Sequence, residues 1–307
     1  MELRGIGVEA EVFCTTFGLA RITDHKLEAM AAALTRTRRI IAEGYPKDPE
    51  QLESATIGLC ERLVDRSLDL SSAALCVANA SLDAATEAAC RAAIEQTVAG
   101  LYIMREPDSV VRRLVQYFYA YLDEADYRVT EWEKSAANEP DTDRPMFEAA
   151  RAQRRAASVA ERDFLERVRV ELGVDDAKGW PKKIKDRFVQ CDLASSYRTI
   201  YGALSAQAHG GAEDLVHEFI ARSIDSTHEE SGRTGGSIWA TQRAENRSFA
   251  LAMAWFTVDL TLELAIRFAR LHGLSSAAVA LRLTRKEHEL EMPDWMPANF
   301  TPSGKPR

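Results

Sequence analysis

The sequence predicts an all-α fold: a single domain of long antiparallel helices with a helical-bundle core. Three observations carry the prediction. Apolar residues recur at intervals of three and four along most of the chain, with almost no strand-like alternation. Glycine and proline are few, 16 and 10 in 307 residues, which excludes collagen-like and loop-rich chains. Hydrophobic residues make up 46%, the ordinary share for a globular chain, which excludes wholesale disorder.

The elements follow in order. Asp24 is placed to cap a first helix carrying Leu27, Met30, Ala31 and Leu34, which ends near Gly44, Tyr45 and Pro46. A second starts around Pro49 and carries Leu52, Ile57, Leu63 and Leu68. Ser81 is the expected cap of a third, with Ala84, Ala88, Arg91, Ile94, Glu95 and Val98 along it. Pro107 then opens a long helix to about Ala137. Its residues Val111, Leu114, Val115, Phe118, Leu122 and Ala125 are spaced for one buried face.

Residues 138–145 (NEPDTDRP) are a loop by composition. The segment Met146 to Leu172 mixes six arginines with interleaved carboxylates, the pattern of a solvated helix supported by pairs three or four apart. A short basic helix is expected from Pro181 (PKKIKDRF), then a helix from about Asp192 to His209, and another through Leu215, Phe219 and Ile220. Residues 225–237 are polar and Gly-rich and read as a loop. A helix over Ile238 to Leu271 stops at His272 and Gly273, and Ser275 to about Glu289 forms the last. The expected organisation is an N-terminal helical extension (1–46), a helical-bundle domain (47–290) and a Pro-rich tail (291–307).

Charge and cysteines narrow the function classes. The chain carries 47 acidic against 39 basic residues, a net charge of −8, which argues against a whole-surface nucleic-acid binder. The five cysteines show no C-x-x-C spacing and read as reduced core residues of a cytoplasmic protein. The start of the chain has no signal-like apolar stretch. The most apolar run, Phe249 to Phe268, is interrupted by Asp259, Glu263 and Arg267, so it reads as a buried helix and not as a membrane span. Motifs for nucleotide-triphosphate hydrolysis, zinc proteolysis, di-iron bundles and serine esterases are missing, and neither a metal site nor a cofactor is expected.

One segment, residues 179–215, is distinctive. On a helix turning 100° per residue, Arg198, Gly202, Ser205 and His209 fall within about 40° of one another, with Tyr201 beside that stripe and Tyr197 further round. His209 stands at the expected helix C-terminus, where the macrodipole favours its protonated form. Two readings stay open. One is a polar network satisfied inside the bundle; the other is a ligand or catalytic site. Arg91 and Glu95, four apart, either pair with each other or face Ser205 and His209 across the bundle. The polar groups on both helices need partners, so the two helices are expected to pack together.

The segment resembles a bacterial family designated domain of unknown function 5677, through Trp180, Tyr197, Tyr201, Ser205, His209 and Gly210, and through the Arg91–Glu95 pair on the earlier helix. Some members look similar to the HEPN helical superfamily, which includes RNA-cleaving toxins, defence proteins and inactive binding modules. The resemblance implies an all-α protein whose candidate catalytic residues are His209, Arg198 and Arg91. Its candidate ligand contacts are Glu95, Trp180, Tyr197, Tyr201 and Ser205. The expected partners are RNA or a nucleotide, or a protein partner, with homodimer formation and no membrane. The departure is in spacing. HEPN ribonucleases place His four to six residues after Arg, whereas Arg198 and His209 are about 16 Å apart along a helix. Arg222/His228, Arg267/His272 and Arg282/His288 match that spacing at about the frequency chance allows.

Overall fold

The computed structural model describes residues 25–44, 55–136, 144–202, 204, 216, 219–223, 225 and 238–290. The protein is all-α, and its described residues contain no strand. Among the described residues the α-helices are α1 (His25–Gly44), α2 (Ala55–Asn79), α3 (Asp83–Ile103), α4 (Val110–Ala136), α5 (Arg144–Glu171), α6 (Ile184–Gln190), α7 (Ala194–Ser196), α8 (Ile238–Leu271) and α9 (Ser275–Leu290). A 3₁₀ turn, Pro107–Ser109, leads into α4, and a π-helical turn, Tyr197–Tyr201, continues α7. The chain divides into two compact units, Met1–Leu101 with Phe188–Arg307, and Tyr102–Arg187.

The first unit is built around α8, which packs against α1, α2 and α9, while α1 packs on α2 and α9. The apolar run read from the sequence lies here. Asn246–Leu271 is long and apolar enough to cross a membrane, with mean hydropathy 1.6, but 89% of that stretch is buried inside the protein. A helix enclosed on all sides has no polar face, so its sequence carries little amphipathic pattern. Its interior polar groups are matched. Thr261 lies 2.8 Å from the Ser71 hydroxyl and 3.5 Å from that of Thr97. Arg247 donates to the Ala78 carbonyl (2.6 Å) and to Asp83 (3.1 Å), satisfying the C-terminal end of α2. Asp259, fully buried, holds Arg285 of α9 through both carboxylate oxygens, at 2.8 and 3.0 Å, and Glu263 takes a further Arg285 nitrogen.

In the second unit α4 and α5 form an antiparallel hairpin. No described side chain of α5 is buried. The hairpin is tied by charge: Arg155 to Glu133 (2.6 Å), Arg162 to Asp123 and Asp126 (3.3 and 2.6 Å), and Tyr119 to Glu166. Arg113, 7% exposed, donates to the Tyr102 carbonyl (2.8 Å) and to Glu106 (2.9 Å), closing the end of α3.

Several local expectations need correction. Ser81 does not cap α3. Its φ is +55°, its N–H bonds the Ala78 carbonyl, and the next N–H reaches back to Val77. This is the left-handed closing motif of α2. The same motif ends α5 at Gly173, α6 at Asp192 and α8 at Gly273, all with positive φ. On α3 the buried face runs through Thr86, Cys90, Ala93, Ile94, Thr97 and Val98, while Ala84 and Ala88 are exposed. Alanines on both faces gave the periodicity nothing to discriminate. On α1, Ala33 is buried and Ala31 exposed. The basic helix begins at Ile184, not Pro181. The helix carrying Arg282 and His288, α9, buries Ala277, Ala278, Leu281, Thr284 and His288. The expected starts and ends at Asp24, Pro49 and Leu52, the loops over 138–143 and 226–237, and the tail from 291 lie outside the described residues.

The four described cysteines are free. Burial pushes the thiol of Cys60 up to about 11 and that of Cys90 up to about 12, and Cys76 is exposed. Maleimide at neutral pH, read by peptide mass mapping, is therefore expected to modify Cys76 in the native protein. Cys60, Cys90 and Cys191 should react only after denaturation.

Candidate functional site

The distinctive segment is assembled from a short helix, a turn and an irregular helical stretch. α6 ends at Cys191 and Asp192, the latter at φ +63°. That reversal buries Leu193 and starts α7. From Tyr197 the backbone widens: the N–H of Gly202 bonds the Tyr197 carbonyl, five residues back. Such a π turn inserts one residue into the helical register and is frequent at functional sites. The uniform 100° per residue assumed for this segment does not hold across the turn that contains Arg198 and precedes Gly202; Ser205 and His209 lie outside the described residues. The turn buries Ile200 and Tyr201 together.

The aromatic rings form one cluster. Tyr197 and Tyr201 stack at 5.6 Å with 21° between planes, and Phe188 packs edgewise or tilted on both, at 5.6 and 5.5 Å. Tyr197 is thus a direct neighbour of Tyr201, not a residue further round the helix. Phe188, wholly buried, closes the basic stretch PKKIKDRF, whose charges hide it in the sequence. Its position at the end of that stretch, next to Cys191 and Leu193, was the available signal.

Tyr201 connects the segment to α3. Its hydroxyl donates to Glu95 Oε1 at 2.5 Å, and Arg91 Nε donates to the same oxygen at 2.9 Å. The Arg91 guanidinium lies 5.7 Å from the Tyr201 ring centroid, within cation–π range. Arg91 and Glu95 therefore pair with each other and also meet Tyr201 of the distinctive segment; Ser205 and His209, which the other reading set opposite them, lie outside the described residues. Tyr201 is 4% exposed, whereas the side chains of Arg91 and Glu95 are 19% and 40% exposed. The cluster is buried at its tyrosine and open at its charges.

Electrostatics fix the protonation states. Burial, then the hydrogen bond and charge of Glu95, push the Tyr201 phenol up to about 12, against the opposing pull of Arg91. Burial lowers the Arg91 value, but its bonds to Glu95 and Tyr201 more than offset this and raise it. At neutral pH the site therefore presents a neutral phenol as donor, a carboxylate as acceptor and a guanidinium. Because the folded tyrosine titrates above the unfolded one, its stabilising contribution is complete below about pH 10 and is lost as pH rises to about 12. Urea unfolding between these pH values should show a decline in stability that Tyr201→Phe removes.

The other candidates fall elsewhere. Arg198 is exposed, with no ion pair among the described residues. Trp180 belongs to the second unit, packed on Tyr102 (5.2 Å) and Tyr117 (4.9 Å), with the Arg187 guanidinium 5.3 Å from its ring. Ser205 and His209 lie outside the described residues. Among the described residues no three His, Cys, Asp or Glu side chains are grouped to hold a metal ion.

No curated protein and no solved structure matches the chain. Residues 59–227, more than half of the chain, match the family described as "Family of unknown function (DUF5677)". The matched region contains Arg91, Glu95, Trp180, Tyr197 and Tyr201, and the chain belongs to that family.

Proposed function

We propose that this chain is a HEPN-like bacterial protein of the cytoplasm that acts on RNA or a nucleotide, in phage defence or toxin–antitoxin regulation. The observation supporting it is the meeting of Tyr201 with Glu95 and Arg91 at a π-helical turn, 106 residues apart in sequence. In this reading Arg91 and Arg198 hold anionic charge, because guanidinium pairs with phosphate oxygens. Tyr197 and Tyr201 position the ligand, and His209 transfers a proton or contacts phosphate. Glu95 orients both Arg91 and the Tyr201 hydroxyl. The test compares growth of cells expressing wild type, Arg91→Ala and His209→Ala, with helicity followed by circular dichroism. Loss of a toxic or protective phenotype with helicity retained supports the reading. Unchanged phenotypes in both folded variants refute it.

A second reading has its own observation: one Glu95 oxygen accepts from both Arg91 and Tyr201, a network that satisfies itself internally. In this reading the chain is a non-catalytic helical module that forms a homodimer and binds a protein partner. It predicts that Arg91→Ala lowers stability and leaves the phenotype intact, and that light scattering of the purified chain gives a dimer mass.

A further inference from the structure

A second cluster of charge lies on the first unit, between α8 and α9. Glu263 and Arg270 from α8, and Arg282, Arg285, Lys286 and Glu289 from α9, line an open cleft of about 340 Å³, near the lower end of the range for small-molecule sites. Its floor is rigid. Arg285 is clamped by Asp259 and Glu263, with Glu289 at 3.7 Å, so its charge is already offset by carboxylates. Burial is outweighed by these carboxylates, so Arg285 stays charged.

With Asp259 beneath it, the cleft carries four cations against three carboxylates, a surplus of one positive charge. Arg270, Arg282 and Lys286 are exposed and have no carboxylate partner among the described residues. Arg282 Nε instead leans on the Ala278 carbonyl at 3.3 Å. Arg282 and Lys286 stand one helical turn apart, a like-charge spacing that disfavours the helix. Arg270 adds a third positive charge from the facing helix. All three stand on long helices, which fixes their backbone positions around the cleft. The chain as a whole is acidic, at −8. A local surplus of cations in a cleft therefore attracts small anions without recruiting long nucleic acid.

We infer that this cleft binds a small polyphosphate-class anion through Arg270, Arg282 and Lys286. A phosphate chain carries several oxygens and more than one charge, which suits two guanidinium forks and an ammonium. The inference is independent of the reading given to Arg91 and Tyr201. The probes are tripolyphosphate, ATP and inorganic phosphate, titrated calorimetrically into the full chain at low salt. Tripolyphosphate is expected to bind saturably, and inorganic phosphate more weakly. The pair Arg270→Glu with Lys286→Glu should weaken tripolyphosphate binding about tenfold or more. The pair Arg270→Ala with Lys286→Ala, which introduces no repulsion, should weaken it in the same direction. The control pair Arg151→Glu with Arg154→Glu on α5 changes net charge equally and should leave affinity within about twofold. Tighter binding of ATP than of tripolyphosphate would identify a nucleotide as the ligand, and equal binding the phosphate chain alone. Absence of saturable tripolyphosphate binding overturns the inference. So does equal affinity in the folded Ala pair, or an equal loss in the control pair.

Discussion

Asp259→Ala is expected to destabilise the protein by about 3 kcal/mol, the lower end of the usual cost of breaking a buried ion pair, because Glu263 still holds Arg285. Asp259 is completely buried and holds Arg285 through both oxygens, and Arg285 is 14% exposed. Glu263 also reaches Arg285, so Glu263→Gln should cost less than Asp259→Ala. Urea unfolding followed by far-ultraviolet circular dichroism reads both. Removing both charges together, Asp259→Leu with Arg285→Met, is expected to recover much of the loss, because the larger part of the penalty is the stranded charge and not the missing attraction. A double variant as unstable as Asp259→Ala alone would show that shape, not charge, holds α8 to α9.

Trp255→Ala should cost at least as much, about 3–5 kcal/mol, from the lost apolar surface and the cavity left behind. Trp255 is 1% exposed and stacks on His288 at 4.8 Å with 16° between planes. The two residues also exchange backbone contacts. The indole Nε1 donates to the His288 carbonyl at 3.2 Å, and His288 Nε2 lies 3.0 Å from the Trp255 carbonyl. A carbonyl oxygen only accepts, so His288 carries its hydrogen on Nε2. Trp255→Phe keeps most of the packing and loses the indole donor, so its expected cost is about 1–3 kcal/mol, set by the His288 carbonyl left unsatisfied. The order wild type, Phe, Ala in the midpoint of thermal unfolding checks the assignment.

These two sites show what the sequence could and could not convey. The charges Asp259, Glu263 and Arg267 inside an apolar run were enough to read a buried helix in place of a membrane span. Arg285, the partner of Asp259 and Glu263, sits 26 residues from Asp259 on the following helix, and pairing at that distance leaves no periodic trace. The long helices were legible because their apolar spacing is regular, and the bounds of α8 and α9 fell close to those expected. Local backbone events were not. Ser81 has the chemistry of an N-cap but takes the left-handed position of the preceding C-terminus, because the tight reversal between α2 and α3 requires it. The π turn at Tyr197 likewise cannot be read from residue types, and it departs from the uniform helical register assumed there.

The candidate site was legible in part for the same reason. Tyr197 and Tyr201 stood out as aromatics flanking a polar stripe, Arg91 and Glu95 through the family resemblance, and tertiary structure brings those four together. Trp180, grouped with them by resemblance alone, packs in an aromatic cluster of the second unit. Burial of Phe188 completes the platform under the tyrosines, and a basic neighbourhood concealed it.

The central claim is that the Tyr201 hydroxyl on Glu95 joins the distinctive segment to the helix of Arg91. A double-mutant cycle with Tyr201→Phe and Glu95→Gln measures that link directly, from the urea unfolding free energies of the four proteins. The hydrogen bond is to a charged acceptor at 2.5 Å, so the predicted coupling is about 1 kcal/mol or more. Free energies that add within about 0.3–0.5 kcal/mol would mean the two side chains act independently and would contradict it.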